Sequence, residues 1–209
     1  MQWFLLGVWC MLIAGFSLRY RNLLRPLMAA GFTSAMGMQL LLLWMDDRLS
    51  WEHALPLHLC SLFGVISIFL LWRPVQPLFE AVCFLGAPGA FLTLFFPAVA
   101  SSAHPFWMRL AFFQLHVLLA LMPLYWHATG KPLPKDPRRT LVMGSSYLVF
   151  ICLINRLFGT NYLFLRAAPT GTPLYWLFTH GPVFYLCALV MAAMLIFSTL
   201  APVYAQSRK

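Results

Sequence analysis

Residues 54–72 read ALPLHLCSLFGVISIFLLW, a run without one Asp, Glu, Lys or Arg. An α-helix rises about 1.5 Å per residue, so the run is about 28 Å long as a helix, close to the roughly 30 Å hydrocarbon core of a bilayer. Moving outward, the same reading gives six more apolar segments, roughly 2–18, 26–45, 75–97, 104–126, 140–158 and 173–200. The first has the look of a signal-peptide core, but only Met1 and Gln2 precede it and Arg19, Arg21 and Arg25 follow at once, so it is expected to stay as a helix. The pattern predicts an all-α fold, a polytopic bundle of about seven transmembrane helices forming one integral membrane domain over 1–209.

Composition agrees. Of the 209 residues 62% are hydrophobic and 9% charged, where ordinary globular chains carry about a quarter charged residues, so a water-exposed surface cannot be built. The apolar and aromatic content excludes an extended disordered chain. The net charge of +9 does not point to nucleic acid, because the basic residues cluster between apolar runs: Arg19, Arg21 and Arg25 in one place, Lys131, Lys135, Arg138 and Arg139 in another. With the N-terminus outside, ten of the fourteen Lys and Arg, including Arg73, Arg208 and Lys209, fall on the cytoplasmic side. The expected topology is N-outside, C-inside. Cys10, Cys60, Cys83, Cys152 and Cys187 are scattered with no CxxC pair, so no disulfide framework or zinc finger is implied.

Local signals add detail. Pro56 at a first helical turn predicts a helix start just before His58. Gly86-Ala87-Pro88-Gly89 predicts a kink or break in the fourth segment, with room for a neighbouring backbone or a ligand. Gly159 suits a helix C-cap, and Trp3, Trp44, Trp51, Trp72 and Trp107 suit interfacial belts.

Polar groups inside apolar segments are costly and therefore informative. His58, Cys60, Asn155 and His180 are expected within roughly 10 Å of the outer boundary, with His116 somewhat deeper. Glu80 falls instead near the cytoplasmic end. Two residues apart on one helix, His58 and Cys60 diverge, so a base for Cys60 has to come from another helix, and His116 and His180 both qualify. A cysteine about one turn from a helix N-terminus, beside an imidazole, has the parts of a nucleophilic pair. The same four side chains are chemically suited to copper or zinc, but they lack supporting carboxylates, and no metal is expected. The plain alternatives are a cysteine that only fills space, histidines and Asn155 and Asn161 that only link helices, and a His180 that only serves the Gly181-Pro182 kink.

Leu55-Pro56-Leu57-His58-Leu59-Cys60, the Gly86 to Pro97 stretch, Gln114-Leu115-His116, and Asn155 followed by Gly159-Thr160-Asn161-Tyr162-Leu163-Phe164-Leu165 resemble, in order and spacing, the YwaF-like integral membrane family. The resemblance runs from about Pro56 to Pro169. It implies kinship with animal acyltransferases that place a polyunsaturated chain on ether lysophospholipids and in which a membrane cysteine and histidine are implicated. Carried over, Cys60 is the nucleophile and His116 its base. His58, Asn155, Asn161 and Tyr162 match motif positions, and with His180 they are the candidates for substrate binding.

The expected function is therefore acyl transfer between membrane lipids, a phospholipid donor and a lysolipid acceptor, through a thioester on Cys60. Asn155, Asn161 or Tyr162 would donate to the oxyanion, and the kinked fourth helix would leave room for an acyl chain. No cofactor is required. The alternative is a binding or transport protein that holds a small solute or lipid headgroup in the same polar layer. The expected location is multi-pass, in a bacterial inner membrane.

Overall fold

In the computed structural model, the residues described are 1–16, 21–131, 134 and 137–206. Arg19, Lys135, Arg208 and Lys209, four of the charges used for orientation, lie outside them. Helices follow one another as α1 (Gln2–Phe16), α2 (Arg21–Met45), the short α3 (Trp51–Ala54), α4 (Leu59–Trp72), α5 (Gln76–Ala81), α6 (Ala87–Phe95), α7 (Pro105–Ala128), α8 (Pro137–Phe158), α9 (Pro173–Thr179) and α10 (Pro182–Gln206). A π turn, Val82–Gly86, joins α5 to α6, and one 3-10 turn, Tyr162–Phe164, follows α8. No strand occurs among the described residues. Six of the spans are long and apolar enough to cross a membrane, and Gln2–Gly15 is a shorter apolar helix. The protein is an all-α polytopic helix bundle.

α7 is its axis. Its most apolar window is 61% buried, against 11% for α8 and α10. The reason lies in its neighbours: α1, α2, α4 and α6 all pack on it. Contact is close where the chain has glycine. A Cβ on Gly31 would lie 2.9 Å from Leu118 Cδ1, and one on Gly64 would lie 2.9 Å from Leu115 Cδ1. Trp9 Nε1 donates to Gln114 Oε1 at 3.2 Å and fastens α1 to α7. Apolar side chains of α8 and α10 such as Val149, Leu153, Leu157, Met191 and Leu195 are exposed, as lipid-facing surface is.

Three expectations are corrected. The third segment does not start just before His58: Pro56 disfavours helix at Leu55, which is extended at φ −87°, ψ 132°, and α4 begins only at Leu59. The break in the fourth segment is a widened turn and not an interruption. Pro88 has no N–H and its ring crowds the carbonyl four residues back, and the i→i+5 pattern, with Ala87 N–H donating to Val82 O, relieves both. Gly86 there admits no ligand, since the ring of Phe63 would lie 2.9 Å from its Cβ, whereas nothing lies within 4 Å of a Cβ on Gly89. The last segment is two helices, separated at Gly181, whose φ of +104° few side chains tolerate. Gly159 follows α8 at φ +68°, the left-handed position of a C-cap.

Candidate functional site

Cys60 is the second residue of α4. The helix opens at residue 59 because of Pro56, and Tyr147 of α8 donates to Leu57 O at 2.7 Å, pinning the extended 55–58 segment. The first bond of this helix runs from Leu62 N to His58 O, so the N–H groups of Leu59, Cys60 and Ser61 have no acceptor within it, and the His58 side chain provides no cap. Cys60 is half-buried against the core, as Cys10 is; Cys83 is buried, while Cys152 and Cys187 are exposed.

Cys60, Gly64 and Ser67 stand at i, i+4 and i+7, one face of α4. At Gly64 that face meets Leu115 of α7 and Met36 of α2. Cys60 is therefore turned toward the helix that carries His116. α4 and α7 run parallel, since their C-terminal ends, Leu71 and Trp126, border one cavity. Ser67, one turn below Gly64, is fully buried and its hydroxyl has no partner among the described residues.

His116 is 5% exposed. Its Nδ1 lies 2.7 Å from Phe112 O. A carbonyl only accepts, so Nδ1 carries the hydrogen and Nε2 keeps its lone pair, the tautomer a base needs. The ring packs on Phe112 at 4.2 Å between centroids, turned back along α7 toward its N-terminal end. Because Leu115 meets α4 at Gly64, the backbone of His116 lies about one helical turn, roughly 6 Å, deeper than that of Cys60. Successive helical positions point about 100° apart, so Leu115 and not His116 fills the Gly64 contact, and Cys60 and His116 share no hydrogen bond among the described residues.

The end of the bundle where α4 and α7 begin holds a second group. Asn155 sits at the last turn of α8, 1% exposed. Its Nδ2 donates to Tyr162 O at 2.9 Å, and its Oδ1 accepts from Thr160 Oγ1 at 2.9 Å and Tyr162 N at 2.8 Å. Asn161 works in the same manner, accepting from Arg166 N and Ala167 N and donating to Ala167 O. Asn161 N donates to Glu52 Oε1 at 3.2 Å, and Tyr162 OH to Trp51 O at 2.7 Å, so the 155–167 loop is sewn to α3. Burial, and then the Glu52 carboxylate, push the Tyr162 phenol above its ordinary range and keep the hydroxyl a donor. The His58 ring lies against Tyr162 and Phe164, at 5.3 and 5.4 Å.

Of the sequence-derived candidates, the structure thus gathers His58, Asn155, Asn161 and Tyr162 at the end of the bundle where α4 begins, and carries Cys60 and His116 on two helices that pack together. His180 is exposed at the break between α9 and α10, with Nδ1 2.9 Å from Trp176 O, and makes no hydrogen bond or ring contact with this group among the described residues. No three of the described His, Cys, Asp and Glu are grouped to hold a metal ion. Sequence reasoning missed Glu52, Thr160, Arg166 and Tyr147 as builders of the site. Glu52 is one of only five acids in the chain, which was a usable signal. Tyr147 gave none.

Residues 1–201 match the TMEM164 family, a membrane protein family, over nearly the whole chain. The chain belongs to the TMEM164 family. No curated protein and no solved structure matches it. In this TMEM164-family protein the polar groups of four different elements meet at one end of an integral membrane bundle.

Proposed function

We propose that this TMEM164-family protein is a lipid acyltransferase working in the outer half of a membrane, with Cys60 as nucleophile and His116 as base. The carrying observation is the placement of Cys60: the first turn of a helix without a side-chain cap, on the face turned to α7. His116 Nε2 takes the S–H proton, directly or through one water or lipid hydroxyl across the offset, and the sulfur attacks the ester carbonyl of a phospholipid. The carbonyl oxygen gains charge near the free N–H groups of Leu59, Cys60 and Ser61 and the positive end of α4, which stabilise it. The C–O bond breaks, and the lysolipid leaves with the proton from the imidazolium. A second lipid alcohol gives its proton to His116 and attacks the thioester, so the acyl chain moves and the thiol is restored.

The donors of Asn155, Asn161 and Tyr162 are engaged in the loop, so in this reading those residues hold the roof over Cys60 and the backbone of α4 serves the oxyanion. His180 is not used. The half-buried thiol suits a lipid that arrives from the side, and a site kept from water favours transfer over hydrolysis. The resemblance to the YwaF-like family supports the same chemistry and a bacterial inner membrane. The test is transfer of a labelled acyl chain from phospholipid to lysolipid by the purified protein in liposomes. Activity should disappear in Cys60→Ala and His116→Ala; transfer that survives both changes overturns the mechanism.

A further inference from the structure

At the opposite, basic end, a partly open cavity of about 50 Å³ lies between α2, α4 and α7. Its wall includes Arg25, Trp72, Tyr125, Trp126, Thr129 and Lys131. A water occupies about 10–15 Å³ by this measure, so the space suits a few waters or one phosphate group. Both cations are half-buried and make no ion pair among the described residues. Their positions are fixed by backbone. Arg25 rises from the first turns of α2. Lys131 is brought round by Gly130 at φ +70°, with Lys131 N donating to Trp126 O at 3.2 Å. Trp126 is itself stacked on Phe79, with centroids 3.7 Å apart and an interplanar angle of 7°.

No carboxylate of the described residues lines the cavity. Glu80, the acid of the adjoining α5, accepts from Gln76 Nε2 and is not part of the wall. Two cations partly withdrawn from water around one partly open space repel each other, and the arrangement becomes favourable when an anion sits between them. We propose that Arg25 and Lys131 form a phosphate-binding pocket at the membrane surface, with Tyr125 and Thr129 in its wall. The ligand is a phosphate monoester group, borne by an anionic lipid of the same leaflet or by a water-soluble phosphate. The juxtamembrane position of the cations favours the lipid. This site is separate from Cys60 and does not depend on the acyl-transfer reading.

The test measures binding of fluorescent phosphatidate to the full-length protein in phosphatidylcholine nanodiscs, alone and with inorganic phosphate as competitor. Wild type should bind saturably, and Arg25→Gln and Lys131→Gln should each bind about tenfold more weakly, the loss expected for one charge-assisted contact. Competition by inorganic phosphate assigns the pocket to a soluble phosphate; resistance to it assigns the pocket to the lipid; both support the site. Arg25→Lys, which keeps the charge, should retain binding and controls for folding, and Cys60→Ala should bind as wild type. Equal affinity of wild type and both Gln variants overturns the proposal. So does an equal loss of thermal stability in pure phosphatidylcholine with affinity unchanged, because the cations would then only serve the carbonyl end of α7.

Discussion

The 155–167 loop and the α4–α7 seam are both polar and lie close together, yet they differ in how their hydrogen-bonding capacity is used. Around Asn155 the side-chain carbonyl accepts twice and the amide donates to the backbone, and Asn161 repeats the scheme six residues later. In α4 and α7, three backbone N–H groups at the start of α4, the Ser67 hydroxyl and the Nε2 lone pair of His116 have no such use among the described residues. A saturated network rigidifies, because every member left alone in an apolar setting costs free energy. An unsaturated one is available to a substrate. By that criterion the asparagines belong to the scaffold, and the proposed acyl transfer draws on the cysteine and histidine.

The largest effect expected is on Cys60. Cys60→Ala should abolish acyl transfer measured with labelled phospholipid while leaving the thermal midpoint near wild type; a variant that transfers normally would break the comparison at once. His116→Gln keeps much of the volume and removes the base. A fall of about 10²–10⁴-fold in rate is expected, read in the same assay. Asn155→Ala should behave in the opposite manner: Tyr162 N, Tyr162 O and the Thr160 hydroxyl lose their partner, a destabilisation of about 2–3 kcal/mol in denaturant or thermal unfolding, with the folded fraction keeping its activity. Gly86→Ala presses a methyl onto the Phe63 ring, and about 1–3 kcal/mol of overpacking follows unless that ring shifts. His180→Ala should be mildest, within about 0.5 kcal/mol and without change in transfer, since its ring is exposed and bonded within its own helix.

Much of this was legible in the chain. The apolar runs announced the helices, and Gly86-Ala87-Pro88-Gly89 announced an irregularity. It did not announce a π turn, because whether a proline kinks, breaks or widens a helix depends on which neighbour packs beside it, here Phe63. Cys60 and His116 stood out as candidates by their type and depth and by the resemblance. Their offset of about one turn was not, since depth along each helix says nothing of the crossing between two helices. Asn155 and Asn161 stood out as polar residues at a membrane boundary, but their saturation required partners from Thr160, Tyr162, Arg166, Ala167 and Glu52, up to 109 residues away.

What the sequence determined by itself is the solvent: a chain with so few charges and seven apolar runs must satisfy its backbone within helices and bury them in lipid. What the tertiary structure decided is which polar groups are left over. Hydrogen bonds are used up pairwise between elements distant in the chain, so only the packed bundle separates the amides that hold it together from the polar groups left without a partner among the described residues.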